Sequence, residues 1–231
     1  MELATALARL EAAGTEQARK TYRRHGAREP LFGVSFAVLD ALAREAKRDQ
    51  ALADGLWATG NFDGRLLACK VADPGVRTEA ALDAWIADIE QYSLVDVFVA
   101  GIAAKVPGVR ERADRWAASP RDWTAQAGWD LYGRLALDDV VLEDAYFEGL
   151  LERIEAQIAT AGNRTRHAMA MNVIAIGSRN ERLRVAAEAA AGRIGRVVVD
   201  HGDTGCRTPA AVPYLAKVWE RRAAKAARAN A

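Results

Sequence analysis

The chain has 231 residues, of which 51% are hydrophobic and 27% charged, with a formal net charge of +1. That is ordinary globular composition, long enough to bury a substantial core, and no apolar run approaches the length needed to span a bilayer. The start, MELATALARLEAAG, places an acid at position 2 where a signal peptide would be basic, and only Cys69 and Cys206 are present, so a reducing cytoplasm is expected.

Alanine, leucine, arginine and glutamate dominate, and these are strong helix formers. Leu3, Leu7 and Leu10 recur at helical spacing over residues 2–12. Thr15 caps a predicted helix that runs through Tyr22 and stops at Gly26. An amphipathic helix follows over residues 34–47, with Val34, Val38, Leu39 and Leu42 on one face. Residues 52–59 and 61–72 read as two helices broken by Gly60 and ended by the Asp73-Pro74-Gly75 turn. Thr78 opens a helix holding Leu82, Trp85, Ile86 and Ile89. Helices are then predicted over 94–105, 109–117, 121–135 and 138–160, the last with Phe147, Leu151, Ile154 and Ile158 in register. Further helices cover 165–176, 181–193 and 209–228. Only GRVVVDHGD (195–203) carries a β-branched run, too short for a sheet of its own. Medium helices joined by tight turns predict an all-α, HEAT-like helical-repeat solenoid of stacked antiparallel pairs. We expect a single domain over 1–231, ending in a basic helix or tail at about 210–231. Trp57, Trp85 and Trp116 are expected as packing anchors.

The near-neutral sum hides an uneven distribution. Basic residues gather at Arg19, Lys20, Arg23, Arg24, His25 and Arg28, again at Arg164, Arg166 and His167 through Arg179, Arg182 and Arg184, and in the tail from Lys217 to Arg228. Acids gather between Asp138 and Glu155. Such runs are either solvated helix faces or a phosphate-tracking surface with an acidic back. Nucleotide-cofactor and metalloprotease motifs are absent. The segment VVVDHGDTGCRTP (197–209) gathers Asp200, His201, Asp203 and Cys206, but its spacing matches no zinc template. It reads as a loop, and neither a metal ion nor a cofactor is expected.

Asp96 is the residue that composition does not explain, because it stands among Leu94, Val95, Val97, Phe98 and Val99. A carboxylate taken out of water needs a partner or a role. One account is structural: Ser93 as N-cap and Asp96 three residues on form a capping box, with Tyr92 packing on Val97. The other is functional, with Tyr92 and Asp96 both facing a groove.

Several segments, taken in order, resemble the DNA alkylation repair enzyme family, the helical-repeat DNA glycosylases. They are YRRHGAREPLFGV (22–34), LADGLWATGNFDGRLLACKVADP (52–74) with Asp63 and Arg65 as its acid-x-Arg pair, and YSLVD (92–96). RHAMAMNVIAIGSRN (166–180) and IGRVVVDHGDTGCRTPAAVPYL (194–215) are similar to the C-terminal segment of one bacterial branch. The resemblance implies a concave face that holds duplex DNA and a catalytic carboxylate at Asp96. Its substrate class is cationic purines alkylated at N3 or N7. Their glycosidic bond is already weakened, so preorganised negative charge beside the sugar is the main requirement. Tyr92 and Gln126 fall on the family's other active-site positions, and Arg23, Arg24, Arg65, Arg164, Arg166 and Arg179 are expected to anchor phosphates.

The chain departs from the family's pattern at three positions. Tyr92 replaces a tryptophan, Gln126 replaces an arginine, and Asn172 or Val173 stands where a second tryptophan belongs. Two readings therefore stay open: an alkylpurine DNA glycosylase, and a non-catalytic binder of bent or branched DNA that kept the groove. A third is a protein-interaction solenoid. A monomer with no membrane partner is expected.

Overall fold

The structure is a computed structural model and describes residues 1–229. Among these residues the chain is all-helical, with thirteen α-helices, one π-helical turn and no strand. They divide into two compact units, residues 1–109 with 201–205, and residues 110–200 with 206–229.

The first unit holds α1 (Leu3–Ala13), α2 (Glu16–Arg24), α3 (Phe36–Ala46), α4 (Gln50–Ala58), α5 (Phe62–Val71), α6 (Glu79–Ala87) and α7 (Tyr92–Phe98), the last running into the π-turn Val99–Ala103. The starts of α2 to α6 are set by side-chain caps. Thr15, Ser35, Asp49, Asn61 and Thr78 each accept a hydrogen bond from the backbone N–H three residues ahead, satisfying donors that a helix leaves unpaired. The expected cap at Thr15 is therefore present. Helices α4 and α5 pack against each other as a tight hairpin and α5 also carries α3 and α7. Asp63, in the first turn of α5, is fully buried and accepts three backbone bonds, from Phe32 N (2.6 Å), Gly33 N (3.0 Å) and Val34 N (2.7 Å). One carboxylate thus fixes the entry to α3. The indoles of Trp57 and Trp85 stack with centroids 4.0 Å apart and planes 2° from parallel. Arg77 covers the outer face of Trp85 at 3.7 Å and Arg65 approaches Trp57 at 5.0 Å, each cation lying over a π face.

The second unit holds α8 (Val109–Ala117), α9 (Asp122–Asp138), α10 (Asp144–Gln157), α11 (Asn163–Gly177), α12 (Glu181–Ile194) and α13 (Ala211–Ala229). Helix α11 packs along α9, with α12 and α13 on its other side. Trp116, Trp129, Tyr132, Phe147 and Ile154 are buried there, and with Trp57 and Trp85 in the first unit the expected packing role of the tryptophans holds. At Gly128 a Cβ would fall 2.1 Å from Ala117 N, so only glycine permits this approach of α9 to α8. Asp122 repeats the device of Asp63: its carboxylate accepts from Arg164 N, Thr165 N and Thr165 Oγ1 and so caps α11 from outside.

Two expectations need correction. The predicted helix over 138–160 begins instead at Asp144, because α9 continues to Asp138 and Asp139 then accepts from Val141 N and Leu142 N, both at 2.7 Å. A short carboxylate that bonds its own downstream backbone offers an alternative to helix continuation. Those same two bonds hold the Asp139 carboxyl below its ordinary range. The predicted start at 209 is likewise late, at Ala211, and residues 230–231 of the expected tail lie outside the described residues.

Candidate functional site

The cap expected at Ser93 is placed differently. Gln91 is the N-cap of α7: its buried Oε1 accepts from Leu94 N and Ser93 Oγ, both at 2.8 Å, and its Nε2 donates to His25 O at 3.0 Å. The long amide reaches a donor set that serine was expected to serve, and the helix starts earlier. Tyr92 becomes its first residue and Asp96 its fifth, beyond the turn whose N–H groups need a side-chain acceptor. The capping account of Asp96 is thereby overturned.

The surroundings of Asp96 follow from helix geometry. Leu94, Val95, Phe98 and Val99 are buried and form one face, with Phe98 against the Trp57–Trp85 stack. Asp96 and Ala100 lie on the opposite arc and are exposed. Apart from Val97, which lines the same trough, its apolar neighbours in the sequence therefore turn away from it. Asp96 opens instead onto a trough of about 780 Å³ lined by Arg44, Lys47, Arg48, Lys70 and Lys105, with Asp40 as the second carboxylate. Five cations thus face two acids. Lys70 Nζ is paired with Asp40 at 2.6 Å, and Arg48 Nη1 donates to Ala72 O at 2.6 Å. Arg44 and Lys47 have no ion-pair partner among the described residues.

The wall that carries Asp96 depends on the π-turn. Gly101 lines the trough and touches α5 so closely that a Cβ there would lie 2.5 Å from Cys69 O. A π-turn adds a residue to the helical path, which shifts the direction of everything after it and helps present Lys105 on the same wall.

The other expected site residues lie elsewhere. Tyr92 does not line the trough; its hydroxyl is hydrogen-bonded to His25 Nδ1, with the two rings edge to face. Gln126 is buried within the second unit and its Nε2 donates to Asp130 Oδ2 at 3.2 Å. Asn172 is buried on α11, donating to Trp129 O and Ala168 O. Arg23 pairs with Glu29 and Glu16, and Arg65 with Asp88. Arg24 is exposed. Arg164 is buried, Arg166 bonds the carbonyls of Ile158, Ala161 and Val198, and Arg179 bonds those of Leu135, Ala136 and Asp139. None of these six lines the trough. The five cations that do were not singled out by sequence, because they come singly or in twos from α3, the turn after it, α5 and the end of the π-turn.

Comparison with known proteins completes the picture. The family model described as DNA alkylation repair enzyme matches residues 6–198. Uncharacterized protein Lmo0209 of Listeria monocytogenes is 30% identical over 207 residues, covering 87% of this chain and 90% of that protein. Uncharacterized protein Lin0241 of Listeria innocua is 29% identical over the same length and coverage. A solved structure superposes with a TM-score of 0.88 at 29% identity, over 96% of this chain and 95% of its own. It is described as belonging to a new family of proteins related to the HEAT-like repeat DNA glycosylases, with affinity for branched DNA structures. The all-α, HEAT-like architecture and the match along most of the chain agree: this protein belongs to the DNA alkylation repair enzyme family.

Proposed function

We propose that the protein binds DNA through the trough of the first unit, taking phosphate backbone rather than an extruded base, and that its preferred ligand is branched DNA. The observation that carries this reading is the composition of the lining: five cations, two carboxylates and no aromatic ring. Lys and Arg on phosphates supply affinity without sequence information. A pocket for a flipped base needs stacking faces, and no ring lines the trough. Trp57 and Trp85 are buried in their own stack, and Tyr92 is held by His25. The affinity of the structural neighbour for branched DNA supports the same choice of ligand.

Binding by phosphate contacts is expected to weaken steeply with salt. Replacing Arg44 and Lys47 with glutamine should make the slope of log affinity against log salt shallower by about 2. An unchanged slope would remove the trough from the interface.

A second reading is favoured by one observation, the exposure of Asp96 within the cationic trough. There it stands within reach of a sugar made cationic by loss of an alkylated purine, and acts as the catalytic carboxylate. The discriminating experiment is excision from DNA containing 7-methylguanine. Free base released by the wild type and not by Asp96→Asn establishes the glycosylase; release by neither leaves the binding function.

A further inference from the structure

Helix α13 presents a second cationic surface, on the other unit. Positions 217, 221, 225 and 228 fall within about 80° of one another around a helix, and along it they span about 17 Å. They are Lys217, Arg221, Lys225 and Arg228, all exposed. None has an ion-pair partner among the described residues. The contrast within the unit is sharp, since Arg134, Arg182, Arg184 and Arg193 are each bonded to a carboxylate.

The stripe is also held in a fixed orientation. Leu215 is fully buried, in a space that Gly177 leaves open: a Cβ at that glycine would meet Leu215 at 2.8 Å. Trp219 Nε1 donates to Gly177 O at 3.0 Å, and Arg222 donates to Ser178 O. Arg184 and Arg222 lie over the Trp219 ring at 5.5 and 5.3 Å. These anchoring residues occupy the face of α13 away from the cations, so the charged arc points to solvent. Beyond Glu220 the neighbours of the stripe are alanines and arginines. A helix that inserts into a lipid interface needs large apolar side chains beside its charges; here Leu215 and Trp219 are already used in packing, and the exposed Val212 and Tyr214 lie only in the first turn of α13. A chain of phosphates, spaced about 3.4 Å apart along one strand, matches what is left.

Resting on the DNA-binding function proposed above, we infer that α13 is a second phosphate-binding surface of this protein, whose ligand is the backbone of duplex DNA. Its four cations supply affinity without any group that reads a base.

The test is a variant of the full chain carrying Lys217→Gln, Arg221→Gln, Lys225→Gln and Arg228→Gln. Glutamine keeps helix propensity, and none of the four side chains is in the core. Binding to a four-way junction and to a linear duplex of equal arm sequence is measured by fluorescence anisotropy over a salt series, with phosphatidylserine vesicles in parallel. Affinity for both DNAs is expected to fall, with a salt slope shallower by about 3 to 4. Junction binding equal to that of the wild type overturns the role of α13 and leaves the trough standing. A wild type that binds neither DNA overturns both. Loss of vesicle binding alone, with junction binding intact, assigns the stripe to an anionic membrane surface instead.

Discussion

Lys47 shows at a single position how the trough is made. It ends α3 with φ 60° and ψ −152°, its N–H bonded to Ala43 O. The same backbone geometry closes α12, where φ is 70°, ψ is −149° and the N–H bonds Ala191 O, but there the residue is Gly195. This conformation is nearly reserved for glycine and costs a side-chain-bearing residue about 1–3 kcal/mol. The chain places glycine where only a turn is needed and accepts strain where a cation faces the trough. Lys47→Gly is therefore expected to stabilise the fold by about 1 kcal/mol, net of the greater freedom of glycine in the unfolded chain, and to weaken DNA binding with a salt slope shallower by about 1. Urea denaturation and a salt-dependent binding isotherm read the two effects, and Lys47→Gln separates charge from backbone, since it should lose binding without gaining stability. A variant that gains nothing in stability would remove the strain argument. Asp96→Asn is the converse case. It takes a negative charge away from the phosphate path, so under the binding function affinity rises severalfold, on the order of 1 kcal/mol. Stability changes by less than about 0.5 kcal/mol, because the side chain is exposed.

At the scale of elements, helix positions were legible where a short polar cap precedes an apolar period. Thr15, Asn61 and Thr78 cap helices close to where periodicity places them. The misplacements have a common physical origin in side chains that reach farther, or in another direction, than local pattern suggests. Gln91 captures the start of α7 through a longer amide, and Asp139 diverts the backbone that periodicity would continue. The π-turn after Phe98 was not legible either, since nothing in VAGIA distinguishes a π from an α bond pattern; its setting is tertiary, the contact of Gly101 with α5. That contact gives a prediction. In Gly101→Ala the new methyl meets the Cys69 carbonyl, a backbone atom that cannot rotate away, so the π-turn must shift off α5. A loss of about 1–3 kcal/mol is expected. Because Gly101 also lines the trough, DNA affinity should fall with stability, whereas Lys47→Gly separates the two. Thermal unfolding and binding of the same preparation decide it, and an alanine variant as stable as the wild type would show that the turn has room to move.

For the whole molecule, charge runs in sequence proved a poor guide to charge in space. The block near Arg23 is largely offset by Glu16, Glu29 and Glu90, and much of the block near Arg166 and Arg179 turns inward onto backbone carbonyls. The trough cations come from separate elements and make no long run, while the tail block is open except at Arg222, which turns in to Ser178 O and Trp219. Pairing is a tertiary property, and sequence does not carry it. The same sorting governs pH. Glu16, Glu29, Glu45 and Glu155 are each held below the ordinary carboxylate range by a hydrogen-bonded arginine, but all lie at the surface, so acid sensitivity between about pH 4 and pH 7 should be slight. The alkaline side differs, because it depends on buried and half-buried phenols. Burial pushes Tyr22 and Tyr146 up to about 12, and Tyr132 is raised further by burial and its bond to Asp114. An unfolded tyrosine ionises near pH 10. Between that pH and the folded value the unfolded chain has released protons that the native state still holds, and stability must fall as pH rises. Urea midpoints are thus expected to hold steady up to about pH 9 and to drop above about pH 10. Tyr22→Phe with Tyr146→Phe lowers the plateau, since Tyr22 Oη loses its bond to Val34 O, yet flattens the decline. Equal alkaline slopes for wild type and double variant would assign the decline to lysine deprotonation instead.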